Sequence, residues 1–134
     1  MASIAKERPC GRWGADVLVI PLAADAVIYQ GTAVMLNATG FGIPGQEAPD
    51  LIFVGAAIEN ADNTDGIDGG AVVRVRRPVE QALQWVNDGT FTRAHLLKTA
   101  YVLDNQTATA EDGEGSRSPM GQVVLIERDF VWIQ

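Results

Sequence analysis

The chain of 134 residues has a single cysteine, Cys10, and a single histidine, His95. One cysteine excludes an intramolecular disulfide and leaves a cysteine-based zinc site with one ligand at most. Because His95 has no cysteine or recognisable serine partner, most metalloenzyme and cysteine–histidine nucleophile schemes are also excluded. The sequence therefore predicts a protein that is not an enzyme, with no catalytic residues, no metal site and no cofactor.

Long apolar runs are missing as well. The longest uncharged apolar run, residues 17–24, is too short to span a bilayer and contains Pro21. No basic segment followed by an apolar run opens the chain, so we expect no signal peptide. The composition, 47% hydrophobic and 20% charged, is that of a folded domain rather than a disordered chain.

Positive charge is absent from residues 14–73, which contain no lysine or arginine. The acidic residues of this stretch are Asp16, Asp25, Glu47, Asp50, Glu59, Asp62, Asp65 and Asp68. With a net charge of −7, the body of the protein lacks the basic face of a general nucleic-acid binder.

Residues 1–15 show no hydrophobic periodicity and are interrupted by Pro9, Gly11 and Gly14. We interpret them as an extended arm that precedes a single β domain of residues 16–134. The arm is basic and suited to an acidic partner. Its candidate partner-binding residues are Ile4, Lys6, Arg8, Arg12 and Trp13. We expect Trp13 to enter a partner's pocket; the alternative is that it folds back over its own domain.

The remainder reads as short β-branched and aromatic segments separated by turn signals every 8 to 12 residues. Predicted strands cover residues 17–20, 27–29, 33–36, 51–58, 71–77, 81–86, 99–103, 122–126 and 130–133. Thr92 is a plausible N-cap for one helical turn. The pattern predicts an all-β fold, a small β-sandwich or β-barrel, without internal repeats. Residues 37–50 and 59–70 are expected to be loops.

Two motifs resemble ligand sites but fail in detail. Residues 40–45 fit the glycine pattern of dinucleotide-binding proteins, yet Pro49 prevents the helix that such a site requires. Residues 62–68 resemble a calcium loop, but the glycine does not fall at the sixth position in either register. Both segments are better explained as turns.

A basic strand follows this acidic stretch, with Arg74, Arg76 and Arg77 in residues 71–77. The alternation predicts that Val73 and Val75 face the core while Arg74 and Arg76 face outward. These arginines are suited to grip a phosphate or a partner's carboxylates. The favoured interpretation is pairing with the preceding acidic loop, or a subunit contact, rather than nucleic acid.

Several segments now stand in a recognisable order. They are Gly31-Thr32-Ala33-Val34, Asn37-Ala38-Thr39-Gly40, Phe53-Val54-Gly55-Ala56-Ala57, Asp62-Asn63-Thr64-Asp65-Gly66, Val73-Arg74-Val75-Arg76-Arg77, Tyr101-Val102-Leu103-Asp104-Asn105-Gln106-Thr107, Gly121-Gln122-Val123-Val124 and Val131-Trp132-Ile133. Over about residues 25–134 the chain resembles the capsid decoration, or cement, proteins of tailed bacteriophages. It departs from them at the last turn, where Arg128-Asp129-Phe130 replaces the family's frequent Asp-Gly.

The resemblance implies a structural virion protein on the outer surface of the assembled head, made in the bacterial cytoplasm. Such proteins bridge major capsid subunits, commonly as homotrimers, and need no catalysis, nucleic acid or membrane. The arm residues together with Arg74 and Arg76 would then contact the partner. The alternatives are another phage structural component (a head fibre base or a tail protein), a small β-barrel hydrolase with buried carboxylates, and a monomeric ligand-binding barrel.

Overall fold

A computed structural model describes residues 2–134. It confirms an all-β fold, with twelve strands and one 3-10 turn, Arg93–His95, in the described part of the chain. The strands are β1 (Val17–Pro21), β2 (Val27–Ile28), β3 (Ala33–Leu36), β4 (Gly42–Pro44), β5 (Ile52–Ala57), β6 (Ala61–Asp62), β7 (Val72–Arg76), β8 (Leu83–Asn87), β9 (Thr99–Val102), β10 (Thr107–Thr109), β11 (Pro119–Ile126) and β12 (Phe130–Ile133). No helix within residues 2–134 is long and apolar enough to cross a membrane.

The first half of the fold, residues 17–76, is a five-stranded antiparallel sheet in the order β1-β7-β5-β3-β4. The sheet curls until its two edges meet just beyond β1. There Leu22 pairs in parallel with Gly42, and the Ala23 N–H donates to the Gly42 carbonyl at 2.9 Å. The short strands β2 and β6 form a separate two-stranded sheet beside it.

The second half, residues 83–133, is a closed five-stranded barrel in the order β10-β8-β12-β11-β9. Four of its pairings are antiparallel. The fifth, between β8 and β10, is parallel and closes the barrel through two residue pairs. A closed sheet has no unpaired edge that invites another strand.

The two halves have the same topology, and we call them the first and second repeats. Strands β1, β3, β4, β5 and β7 correspond to β8, β9, β10, β11 and β12, with the same partners and directions. Even the closing parallel pair corresponds, Leu22 with Gly42 in the first repeat and Asn87 with Ala108 in the second. The sequence has no internal repeat that its residues reveal, and the repeat found here is one of strand topology.

A glycine marks the same point in each repeat. Gly55 lies beside a bulge in the ladder between β3 and β5, and Gly121 lies beside a bulge in the ladder between β9 and β11. A Cβ atom on Gly55 would lie 1.9 Å from the Arg76 carbonyl oxygen, and one on Gly121 would lie 2.5 Å from that of Gln134. These distances leave no room for a side chain, so glycine is required at this point in both repeats.

Alternating side chains build a core in each repeat. In β7, Val73 and Val75 are fully buried and Arg74 is exposed, which confirms the predicted alternation. In β12, Val131 and Ile133 take the same inward positions. Strands with one buried face read as alternating apolar and polar residues, as these do.

The two cores meet at β3. Ala33 and Met35 belong to the first repeat, yet both are fully buried within the core of the second. There Trp85 packs edge-on against Phe53 of β5, with ring centroids 5.7 Å apart. The repeats thus share a packed seam instead of resting on separate cores.

Three strands lie where the sequence predicted none. The expected loop of residues 37–50 contains β4, the expected loop of residues 59–70 contains β6, and residues 107–109 form β10. Each is only two or three residues long and is defined by its ladder partner, so its own apolar pattern is too short to detect.

Candidate partner-binding surface

The arm residues lie outside all strands, and every residue from 2 to 15 is exposed. Trp13 has 88% of its surface exposed and Ile4 has 55%. Lys6, Arg8 and Arg12 are exposed beside them. Trp13 does not fold back over its own domain, so its large apolar surface is available to a partner.

The root of the arm is fixed at one end of β1. The Arg77 N–H donates to the Asp16 carbonyl at 2.8 Å, and its guanidinium donates to the Ala15 carbonyl at 3.0 Å. From Val17 onward the chain is paired with β7, starting opposite Arg76. The arm therefore leaves the body at a defined place, immediately before a ladder of five residue pairs.

Arg74 of the basic strand forms an ion pair within the chain. Its guanidinium donates twice to one carboxylate oxygen of Glu59, at 2.9 and 3.1 Å, and its backbone N–H donates to the other at 3.0 Å. These hydrogen bonds lower the pKa of the Glu59 carboxyl from its ordinary value of 4.5 and raise the pKa of Arg74. The charge of Arg74 is thus largely matched before any partner arrives.

Arg76 is placed differently. It is half-buried, it pairs with Val17 and Ala56 on the two flanking strands, and no ion pair within residues 2–134 involves it. The structure brings Arg76 close to the root of the arm, whereas Arg74 lies two residues further along β7. Of the two predicted contact arginines, Arg76 is the one beside the arm.

The glycine-rich segment of residues 40–45 serves packing. A Cβ atom on Gly42 would lie 2.9 Å from an Ile20 methyl group, and one on Gly45 would lie 2.7 Å from the Ala33 Cβ. Residues 42–44 form β4, and the next element along the chain is β5 rather than a helix. Its glycines admit neighbouring strands rather than a phosphate.

The acidic segment of residues 62–70 is a turn organised by Asn63, which is 4% exposed. The Asn63 amide donates to the carbonyls of Ala23 and Ile67, at 2.8 and 2.9 Å. The Thr64 hydroxyl and backbone N–H both donate to Asp62, which lowers the pKa of that carboxyl. Within residues 2–134 no group of three or more acidic, histidine or cysteine side chains is arranged to hold a metal ion.

An exposed apolar surface on the second repeat was not predicted. Leu96, Leu97 and Leu125, which we call the leucine patch, are 45%, 61% and 50% exposed. Beside them runs a groove of about 300 Å³ lined by Arg93, Leu96, Val124, Leu125 and Ile126. The available signal was the pair of adjacent leucines directly after the 3-10 turn, because two consecutive residues there cannot both face the core.

A second groove, of about 280 Å³, lies along the sheet of β2 and β6. It is lined by Val27, Ile28, Tyr29, Asn60, Ala61 and Asp62. Tyr29, at 60% exposure, is the largest side chain on its rim.

Compared with protein-family models, with curated proteins and with solved structures, the chain matches none.

Proposed function

We propose that this chain is a structural protein of a tailed-phage virion, a decoration or cement protein that binds the outer surface of the assembled head. In this role it bridges major capsid subunits and stabilises the shell, and copies associate on the shell as trimers. The order of sequence motifs over residues 25–134 supports the family. The all-β body, with its shared core, supplies the rigid platform that such a role needs.

The exposed arm carries the proposal. Trp13 presents a large aromatic surface to solvent, with Arg12 adjacent and Arg8 and Lys6 further along the chain. Tryptophan and arginine are the residues most enriched at the energetic centres of interfaces. Arg77 holds the chain at Ala15, so binding has to order only the residues that precede Ala15. This limits the conformational entropy that is lost on binding.

Charge orients the bound protein. The arm is basic, with Lys6, Arg8 and Arg12 against Glu7. All other acidic residues lie in the body, four of them between residues 59 and 68 (Glu59, Asp62, Asp65 and Asp68). An acidic site on the shell attracts the arm and repels the body, so the arm faces the shell and the body faces solvent. Each contact can be modest, because a bound trimer engages the shell through three arms at once.

The test is co-sedimentation of the purified protein with expanded phage heads that lack it, combined with electron microscopy. We expect saturable binding in a fixed ratio to the major capsid protein. Deleting residues 2–15 should abolish binding and leave the far-UV circular dichroism spectrum unchanged. Trp13→Ala should weaken binding at least tenfold, whereas Tyr29→Ala, a matched exposed aromatic on the body, should not.

One result would overturn the proposed role, and another would overturn only the contribution of the arm. Absence of binding to expanded heads at both low and high salt would exclude the decoration role, and binding to purified tails instead would identify a tail component. Head binding that survives the arm deletion would retain the role but move the contact from the arm to the body.

A further inference from the structure

The two repeats require the same unusual backbone conformation at one point. Gly31 in the first repeat has φ +82°, and its equivalent in the second, Leu97, has φ +64°. The hydrogen bonds correspond as well. The Gly31 N–H donates to the Ala57 carbonyl at 2.8 Å, and the Leu97 N–H donates to the Val123 carbonyl at 2.8 Å.

Glycine adopts this left-handed conformation without steric cost, and leucine does not. Leu97 is nevertheless 61% exposed, so packing within the chain does not offset the strain. The first repeat shows that the fold itself accepts glycine here. The exposed leucine side chain is therefore the feature that distinguishes this position from Gly31, and it is accessible to a partner.

The surroundings of Leu97 are apolar and basic. Leu96 and Leu125 complete the leucine patch, and the groove beside it is lined by Arg93. Residues 89–103 contain Arg93 and Lys98 but no acidic residue, and Glu127, which follows the groove residue Ile126, already accepts the Trp132 indole N–H at 2.7 Å. This patch is suited to an apolar side chain flanked by carboxylates.

The first repeat presents such a side chain. Ile67 is 78% exposed and lies between Asp65 and Asp68, in the turn of residues 62–70. The turn is held rigid because the Ile67 carbonyl accepts hydrogen bonds from the buried Asn63 amide and from the Gly70 N–H, both at 2.9 Å. A rigid, exposed apolar residue binds with little loss of conformational entropy.

We propose that the leucine patch of one copy binds the Ile67 turn of a second copy of this chain. Ile67 enters the groove beside the leucines, and Asp65 and Asp68 face Arg93 and Lys98. Both surfaces are exposed in the same chain, so they do not meet within one molecule. The contact needs only a second copy and does not rest on binding to a phage head.

The patch lies on the second repeat and the turn on the first, so the contact joins two different surfaces. Two copies that bind each other's turns reciprocally form a closed dimer. A single contact instead leaves one patch and one turn unused, and association then continues to a ring or a filament. The proposal therefore predicts self-association that depends on protein concentration and weakens with added salt.

Disulfide trapping tests the contact directly. In a Cys10→Ser background, an Ile67→Cys variant is mixed with a Leu97→Cys variant under mild oxidation. We expect the mixed dimer to form at least tenfold faster than when Val19→Cys replaces Leu97→Cys. Val19 is a matched control because it is also 61% exposed. Equal rates in the two mixtures would overturn the proposal.

Sedimentation equilibrium of the full chain supplies a second readout. Leu97→Gly reproduces the residue that the first repeat uses, so the variant should fold, and its association constant should fall at least tenfold. Arg93→Glu should weaken association through charge alone. A wild-type chain that stays monomeric at millimolar concentration, or an unchanged constant for Leu97→Gly, would overturn the proposal.

Discussion

The two repeats share a strand topology but differ in most of the side chains at equivalent positions. At equivalent inward positions the first repeat has Ile20 and the second has Trp85, whose indole N–H is buried without an acceptor among residues 2–134. The first repeat is closed by a single bridge and the second by two residue pairs. The comparison shows that ladder register, rather than residue identity, defines this fold.

The outer face shows the same contrast. Arg74 of β7 corresponds to Trp132 of β12, and each contacts a glutamate that follows the neighbouring strand. In the first repeat the contact is the ion pair with Glu59. In the second, the Trp132 indole donates to Glu127 at 2.7 Å. One position thus supports either a salt bridge or a neutral donor.

The largest effect is expected at the two glycines that both repeats require. Gly55→Ala should destabilise the protein by about 3–5 kcal/mol, because the new methyl group meets the Arg76 carbonyl and the backbone must move. Gly121→Ala should cost less, about 2–3 kcal/mol, since its Cβ atom would lie 2.5 Å rather than 1.9 Å from the facing carbonyl oxygen. Urea unfolding measures both, and equal losses would show that the two bulges are equally constrained.

A smaller loss of stability should distinguish the core shared by the two repeats from β9 in the barrel of the second repeat. Met35 and Tyr101 are equivalent, but Met35 is fully buried at the seam while Tyr101 is half-buried. Met35→Ala should cost about 2 kcal/mol, and Tyr101→Ala about 1 kcal/mol. Both variants should unfold in one transition. Separate transitions in Met35→Ala would mean that the repeats fold independently.

The smallest effect concerns the ion pair that only the first repeat has. The pKa of Glu59 is lowered by folding, so its contribution to stability is present above its ordinary pKa of 4.5 and is lost as the pH falls through the lowered value. Glu59→Gln removes this dependence. As the pH falls below about 5, the wild-type Tm should therefore fall more than the variant's. Parallel curves, measured by calorimetry, would show that the exposed pair contributes nothing.

Much of the fold was predictable from local patterns. The bounds of β3 and β12 are those predicted, because each strand has a buried face and a clear turn beside it. The repeat was not predictable, since positions such as Met35 and Tyr101, or Arg74 and Trp132, share a place in the ladder without sharing chemistry. Only strand pairing reveals their equivalence, and pairing is a long-range property.

The candidate surfaces divide in the same way. The exposure of Trp13 was predictable because the arm has no hydrophobic periodicity. The sequence also favoured pairing of the basic strand with the preceding acidic segment, and the ion pair between Arg74 and Glu59 confirms this. The leucine patch was missed because a leucine gives no sign that its backbone is left-handed. That sign appears only when Leu97 is superposed in register on Gly31.

The position of the arm also has a mechanical consequence. The arm continues directly into β1, so a pull on it is transmitted along a strand that is paired with β7 over five residues. A force along the strand loads these hydrogen bonds together, whereas a force across a hairpin opens them one after another. The ladder between β1 and β7 therefore resists a pull on the arm better than any single hydrogen bond would.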